Sequence, residues 1–293
     1  MAGSARPALV VGPTGNAGAP TVEALLARGV PVRAGVRDPG AAAGLPDGVQ
    51  PVALDLTDPA TFPAAVDGIG SLFLLRPPAI SDVGPTLNAL LDAAAAAGRP
   101  HVVFLSVAGA DRNRVVPHHE VERHLAAGSL AHTILRPGFF AQNLGDAYRR
   151  DIAEDDRLYV PAGTGRPAWV DVRDVGELAA AILSAPAGHE GQGYLLTGPA
   201  PLAFASAAAL LTRALGRTVR YRHASVPGYA RHLHARGLPA AQIAVQTVLH
   251  LQLRAGGGRR VDPTLGRLLG RAPRTLADYV GDHAGLWARS SPA

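Results

Sequence analysis

Apolar and polar positions fall in alternating blocks of two periods. Ala8–Val11 is a short apolar run ending in Gly12, and Val22, Leu25 and Leu26 then recur at helical spacing until Gly29 stops the helix. The rhythm repeats. Val32–Val36 predicts a second strand, Val52–Leu54 a third and Leu72–Leu75 a fourth. A helix bearing Leu87, Leu90 and Leu91 follows and is closed by Gly98. Val102–Leu105 predicts a fifth strand, and Thr133–Leu135 a sixth after a helix around Val121 and Leu125. Strands that alternate with helices pair in parallel through right-handed crossovers, so helices cover both faces of the sheet.

The second half is less regular. Trp169–Val172 and Tyr194–Thr197 read as strands, and Asp174 as the cap of a helix with Val175, Leu178 and Ile182 inward. Ala207–Leu215 and Ala240–Arg254 read as helices, Gly256–Gly258 as a flexible joint, and Thr275 as the cap of a last helix toward Trp287. The expected fold class is α/β, a doubly wound parallel sheet with a smaller C-terminal α/β lobe. The expected division is 1–150 for a dinucleotide-binding domain and 151–293 for a substrate lobe interleaved with the sheet.

Composition narrows the function classes. Hydrophobic residues at 47% and charged ones at 17% describe a globular chain. No apolar stretch approaches the roughly 20 residues of a membrane span. The first strand starts near Ala8 with its glycine loop directly behind it, which leaves no room for a leader, so a cytoplasmic protein is expected. Cysteine is absent, which excludes disulfides, thiol nucleophiles and cysteine-ligated metals. All 28 Lys+Arg residues are arginine. The net charge of +5 comes from scattered arginines, the densest pairs being Arg149–Arg150 and Arg259–Arg260, so no nucleic-acid partner is expected.

Behind the first strand stands Gly12-Pro-Thr-Gly15-Asn-Ala-Gly18. Gly12 permits a tight turn, Gly15 lets backbone amides approach a pyrophosphate, and Gly18 lets the helix pack on the strand. Thr14 and Asn16 add side-chain donors, and Ala17 completes the turn. The strand-loop-helix setting makes this a dinucleotide site of Rossmann type rather than an ordinary turn. The second strand ends Val36-Arg37-Asp38. Arg37 offers a planar fork of donors to a 2′-phosphate, which points to NADP(H); the alternative is an exposed Arg37 with Asp38 holding the ribose of NAD. Asp55, with Leu56 beside it, is placed to meet the adenine, or else to cap the helix from Pro59 onward.

These residues resemble the NmrA-like branch of the atypical short-chain dehydrogenases, which includes isoflavone-reductase-like enzymes. The resemblance runs through Val36-Arg-Asp-Pro39, Leu105-Ser-Val-Ala-Gly-Ala-Asp111, Thr133-Ile-Leu-Arg-Pro-Gly-Phe-Phe140 with Gln142-Asn143, Asp171-Val-Arg-Asp174, Leu196-Thr-Gly-Pro199 and Leu269-Gly-Arg-Ala-Pro273. It implies that Leu75, Arg76, Ser106, His118, Pro137 and Phe139 line the cofactor, and that Phe140 and Asn143 face the substrate.

Ketone-reducing relatives of that wider group use a tyrosine with a lysine four residues later, the lysine lowering the phenol's pKa. The chain has no lysine. Counted back from Thr133, His118 takes the lysine position and Arg114 the tyrosine position, and the usual serine is replaced by Val107 or Ala108. His118 is the one catalytic candidate, able to bond a ribose hydroxyl or shuttle a proton; a surface histidine is the alternative. His118, His119 and Glu122 lack further ligands, so no metal is expected. His232 and His234 read as surface residues, and Tyr148 and Tyr159 as packing residues or pocket donors.

Hydride delivery to a quinone, enone or imine gives a delocalised anion or an amine, which needs less acid help than an alkoxide. The expected function is therefore an NADPH-dependent reductase of a conjugated or aromatic small molecule, in a monomer or homodimer suited to specialised metabolism. An NADP(H)-sensing regulator without turnover, or an isomerase that retains the cofactor, are the alternatives.

Overall fold

The computed structural model describes residues 6–41 and 44–288. Nine strands occur among them: β1 (Ala8–Val11), β2 (Val32–Val36), β3 (Val49–Ala53), β4 (Ser71–Leu75), β5 (His101–Leu105), β6 (His132–Pro137), β7 (Arg157–Val160), β8 (Gln192–Leu196) and β9 (Arg220–His223). Seven form one sheet in the order β3-β2-β1-β4-β5-β6-β8. Every pairing in it is parallel. This is the doubly wound α/β fold the alternation predicts, and its strand order reverses between β1 and β4.

The chain divides into two compact units. The first comprises Met1–Pro137, Val172–Leu196 and Arg267–Gly270; the second comprises Gly138–Asp171, Thr197–Gly266 and Arg271–Ala293. The first break falls at the end of β6 rather than at residue 150. Past Pro137 the chain joins the second unit's core through Phe139, Ala141, Leu144 and Tyr148, and the sheet later takes back β8, which pairs with β6 from Thr133↔Gln192 to Pro137↔Leu196.

In the first unit, Leu9, Leu72, Leu74, Val102 and Phe104 pack one face of the sheet against Phe62, Leu87, Leu90 and Leu91. Against the other face lie the helices Gly18–Ala27 and Val172–Ser184, which pack on each other. Their approach is close enough that a Cβ at Gly176 would stand 2.9 Å from the backbone of Pro20. β3 begins three residues earlier than Val52, a start the sequence does not show because Val49-Gln-Pro51 carries no apolar pattern. It is an edge strand, where a proline without an N–H is tolerated.

The second unit is built around aromatic rings. Phe139 meets Trp169 edge-to-face at 4.8 Å between centroids, and Trp169 meets Phe204 at 5.1 Å. Its two-stranded parallel sheet, β7 with β9, has no counterpart in the sequence reading, because Arg220-Tyr-Arg-His223 looks polar throughout. The helix Val226–Ala235, capped by Ser225, was likewise not legible.

Three other expectations are corrected. Trp169–Val172 is not a strand: Phe140↔Val170 and Ala168↔Pro201 are isolated bridges, and Val172 already opens the helix. Asp174 accordingly lies in that helix's first turn and is not its cap. Gly256–Gly258 is a held turn rather than a joint, for Gly257 donates to the Gln252 carbonyl at 2.8 Å and the Gly258 carbonyl accepts from Ala168 at 2.8 Å. Thr275 does cap the helix Leu276–Asp282, reciprocally with Asp278, and Trp287 ends a short 3₁₀ turn beyond it.

Candidate functional site

The loop after β1 is shaped by its glycines. Gly12 has φ +65°, in the left-handed region. Gly15 donates to the Gly12 carbonyl at 3.1 Å and closes the turn. A Cβ on Gly18 would stand 1.9 Å from the Gly12 carbonyl oxygen, so only glycine lets the helix start against the turn. Ala17 at the helix N-cap makes no side-chain cap bond, and the first turn holds no acidic residue. Thr14, Gly15 and Asn16 are exposed and Ala17 is buried. An exposed, close backbone turn leading into a helix whose N-cap residue makes no side-chain cap bond fits an anionic pyrophosphate.

Leu75, at the end of β4, brings its Cδ1 to 3.3 Å from where a Gly12 Cβ would be, so the β1 and β4 ends meet at the reversal of strand order. This is where open α/β sheets take ligands. At the end of β2, Arg37 is exposed and makes no side-chain hydrogen bond among the described residues. The neighbouring Asp38 carboxylate accepts from the Gly40 N–H at 2.9 Å. Asp55 accepts from the N–H of Thr57 at 2.8 Å and from its hydroxyl at 2.7 Å, and these bonds, with the charge of Arg37, hold its pKa below the usual value. The alternative role of Asp55 as a helix cap is corrected: Asp58 caps the turn at Pro59–Thr61. Leu56 is buried in the core beside it.

The far side of the strand ends is more surprising. His118 is not a surface residue; it is buried on the helix Pro117–Ala127, with its ring 6.1 Å from Phe104. Burial, helped by the charge of Arg76, lowers its pKa to about 4, so the imidazole is neutral near pH 7. Arg76 turns back on its own loop, donating to the carbonyls of Pro77 and Ile80. Ser106 is buried and donates to Glu122 at 2.5 Å; Glu122 in turn accepts from Arg136 Nε and Nη2 at 3.0 and 2.7 Å. The guanidinium needs Gly193 on β8, where a Cβ would lie 2.4 Å from Arg136 Nη1. Sequence reasoning missed this buried serine–glutamate–arginine set. Its one signal in the sequence is Glu122, an acid four residues after His118 and so on the same helix face.

Pro137 is buried, and its carbonyl accepts from Ala108 at 2.9 Å. In the second unit, the Phe139 ring belongs to the aromatic core, while Phe140 and Asn143 are half-buried. Tyr148 is buried and bonded to His250 at 2.6 Å. His232 is corrected from a surface residue to a half-buried partner of Asp151 at 2.8 Å, while His234 is exposed. No cluster of metal-ligating side chains occurs among the described residues. Among them, too, no helix is long and apolar enough to cross a membrane. A cleft of about 630 Å³ is lined by Arg114 and by His119, Glu120 and Arg123 of the helix that carries His118, and does not include His118.

A parallel sheet in this order, with a glycine turn feeding a helix at the strand-order reversal, defines a dinucleotide-binding protein of Rossmann type. The NmrA-like family profile matches residues 6–252, and the chain belongs to that family. It is 34% identical over 281 residues to the NAD(P)H azoreductase of Xenophilus azovorans, covering 94% of this chain and 97% of that protein. It is 30% identical over 280 residues to Quinone oxidoreductase 2 of Escherichia coli (strain K12), covering 92% and 96%. Among solved structures, an NADPH-dependent quinone oxidoreductase of Escherichia coli in complex with NADPH matches with a TM-score of 0.83 at 29% identity, covering 94% of this chain and 99% of that one.

Proposed function

We propose that the chain is an NADPH-dependent reductase of conjugated or aromatic small molecules, such as quinones, enones and imines, and that it works in the cytoplasm. The relatives named for NAD(P)H azoreduction and quinone oxidoreduction support this class of acceptor. NADPH, when bound, supplies the hydride.

The first unit binds the cofactor. Backbone amides of the Gly12–Gly18 turn receive the pyrophosphate, with Thr14 and Asn16 beside it. Arg37 takes the 2′-phosphate, and Asp55 and Leu56 meet the adenine. Leu75 and Arg76 wall the site, together with Ser106 and Pro137. Ser106 contributes backbone there, since its hydroxyl is given to Glu122. His118, neutral, donates to a ribose hydroxyl. The second unit sets substrate specificity through Phe140 and Asn143, with Phe139 holding that segment to the core.

The observation that carries the acceptor class is the missing lysine. Without it no phenol is tuned to protonate a localised alkoxide, whereas a delocalised anion collects its proton with little help. The test is turnover by purified protein with NADPH. Quinones, azo compounds and enones should be consumed and simple ketones should be sluggish; rapid ketone reduction would sink the chemical argument. Arg37→Ala should cost roughly tenfold to a hundredfold in NADPH affinity, as expected for charge-assisted bonds, and leave NADH unchanged. Calorimetric titration of both cofactors reads this, and an unaltered preference would remove Arg37 from the site.

A further inference from the structure

The helix Pro117–Ala127 buries His118, Val121, Glu122 and Leu125, which fall at the i, i+3, i+4, i+7 spacing of a single face. Val121 and Leu125 are apolar and suit that place. The other two are ionisable, and Glu122 and His118 are only 6% and 9% exposed. A buried carboxylate paired with a guanidinium seldom gains stability over well-packed apolar residues, so such a pair on a core face calls for a reason other than burial.

The bonds around Glu122 supply one. Its Oε1 accepts from the Ser106 hydroxyl at 2.5 Å and from Arg136 Nε at 3.0 Å, and its Oε2 accepts from Arg136 Nη2 at 2.7 Å. Ser106 directly follows β5, and Arg136 is the next-to-last residue of β6. The carboxylate therefore ties the helix to the carboxyl ends of two neighbouring strands, and the two-pronged bond fixes its orientation as well as its distance. His118 lies one turn earlier on the same face, its ring centroid 6.1 Å from that of Phe104 on β5. That first turn receives no side-chain bond from its N-cap residue, Val116. On the outer side, His119 Nδ1–H donates to the Ala110 carbonyl at 2.8 Å, a tie to the preceding loop rather than to the sheet.

We propose that Glu122 is the positioning residue for His118: anchored by Arg136 and Ser106 to the ends of β6 and β5, it sets the roll of the helix and so holds the imidazole against the end of β5. Glu122 touches neither cofactor nor substrate and acts through His118. Glutamine cannot replace it, because an amide has one acceptor oxygen and its nitrogen only donates. Facing the guanidinium, that nitrogen opposes donor to donor; facing Ser106, it leaves Arg136 half of its fork.

The step from His118 to the ribose rests on the reductase reading; the anchoring of His118 does not. The first measurement is the NMR titration of the His118 ring in the free protein. Wild type should titrate near pH 4, where burial and the charge of Arg76 place it. In Glu122→Gln the first turn is released and the ring reaches water, so its midpoint should rise by about one to two pH units toward the ordinary value. Loss of the carboxylate charge alone moves the midpoint down, so a rise reports the movement. A midpoint that stays or falls in folded Glu122→Gln overturns the proposal. The second measurement is NADPH affinity by calorimetry in Glu122→Gln, His118→Ala and the double variant. Each single change should weaken binding roughly tenfold, the scale of one hydrogen bond, and the double variant should bind no more weakly than His118→Ala. Quinone turnover should keep its kcat within about threefold in Glu122→Gln. Affinity losses that multiply in the double variant also overturn the proposal. If Glu122→Gln does not fold, Arg136→Lys, which keeps the charge and gives up the fork, should show the same rise and the same cycle. If the midpoint rises while His118→Ala leaves NADPH affinity unchanged, the cofactor role of His118 in the reductase reading falls and the anchor stands.

Discussion

In the first unit one sheet runs through seven parallel strands, and the residues that shape its loops follow their strands directly: Gly12 after β1, Arg37 after β2, Arg76 after β4. In the second unit the strands are four residues long and the ties are remote in sequence. Tyr148 bonds to His250, the Trp287 indole donates to the Leu144 carbonyl at 2.9 Å, and Arg217 donates to the Trp287 carbonyl at 2.8 Å. One unit is specified locally and repeats a motif. The other is specified by pairs of residues that have no sequence rule to connect them. A chemistry that needs a standard cofactor and a variable substrate suits such a division, since a repeated motif preserves the first and irregular packing accommodates the second.

The two units also bury charge differently, and this gives the largest expected effect. In the first, Glu122 is the carboxylate hydrogen-bonded to the half-buried Arg136, at 2.7 Å. Glu122→Ala leaves that guanidinium and Ser106 without it, and should cost about 3–5 kcal/mol. In the second, Arg236 meets Asp151, Glu154 and Asp155 at 2.9, 3.1 and 3.0 Å, so Asp151→Ala removes one of three partners. Its cost should be about 1–3 kcal/mol. Asp151 also bonds His232 at 2.8 Å, so denaturant unfolding compares both variants with His232→Ala subtracted from the second; losses still equal would show that the redundancy around Arg236 has no energetic weight.

Both units bury histidines that desolvation keeps neutral, His101 and His118 in the first and His250 in the second; burial lowers all three pKa values, those of His118 and His250 to about 4. A histidine in the unfolded chain takes a proton near pH 6.5, so its contribution to stability is whole above that value. It is lost as pH falls toward 4, at about 1.4 kcal/mol per pH unit for each ring. His250 accepts at Nε2 from Tyr148 while its Nδ1–H donates to the Gln246 carbonyl at 2.6 Å, so its neutral form is doubly bonded. His250→Gln should lower stability at pH 7 but flatten its decline between pH 6.5 and 4.5. Urea midpoints across that range measure this; an unchanged slope would mean that His250 is protonated in the folded protein.

The contrast explains what could be read in advance. β1, β4 and β5 were legible because burial on both faces leaves nearly unbroken apolar runs, β2 and β6 because their shorter apolar stretches fall in the strand–helix alternation, and the Gly12–Gly18 turn because backbone contact demands its glycines. β7 and β9 were not: each is four residues long, β9 is polar and largely exposed, and β7 offers only Leu158 and Val160 as buried positions. Ser106 and Phe139 could be placed in the chain, but their side-chain partners, Glu122 and Trp169, lie 16 and 30 positions on.

A matched pair of glycines sharpens the comparison further. A Cβ on Gly18 would stand 1.9 Å from the Gly12 carbonyl oxygen, and one on Gly198, in the second unit, 1.6 Å from that of Trp169. Both Gly18→Ala and Gly198→Ala force backbone apart and should each cost about 1–3 kcal/mol. Only Gly18→Ala should weaken NADPH binding as well, because only that carbonyl shapes the anion turn. Comparable affinity losses in both would mean that the second unit shapes the cofactor site as strongly as the glycine turn does.

The smallest expected effect concerns the tyrosines. Tyr148 is buried, its pKa is pushed up by desolvation, and its hydroxyl is given to His250. Tyr194 in the first unit has a hydroxyl 2.9 Å from His189 Nδ1, and burial raises its pKa too. Tyr159 is half-buried against His232, with ring centroids 5.3 Å apart, and under the Arg157 guanidinium at 4.9 Å. A phenol serves as an acid in turnover when its pKa is drawn down toward neutrality by a nearby cation, as a lysine does elsewhere. Tyr148 and Tyr194 are shifted the opposite way, so the hydroxyls in both units are structural donors. Tyr148→Phe, Tyr159→Phe and Tyr194→Phe should therefore each leave kcat within about tenfold of wild type, with Tyr148→Phe costing stability of about 1 kcal/mol for its buried bond. Quinone turnover with NADPH reads the rates, and circular dichroism confirms folding. A loss near a thousandfold in kcat for one folded variant would identify a relocated acid, and the acceptor class would then widen to include simple ketones.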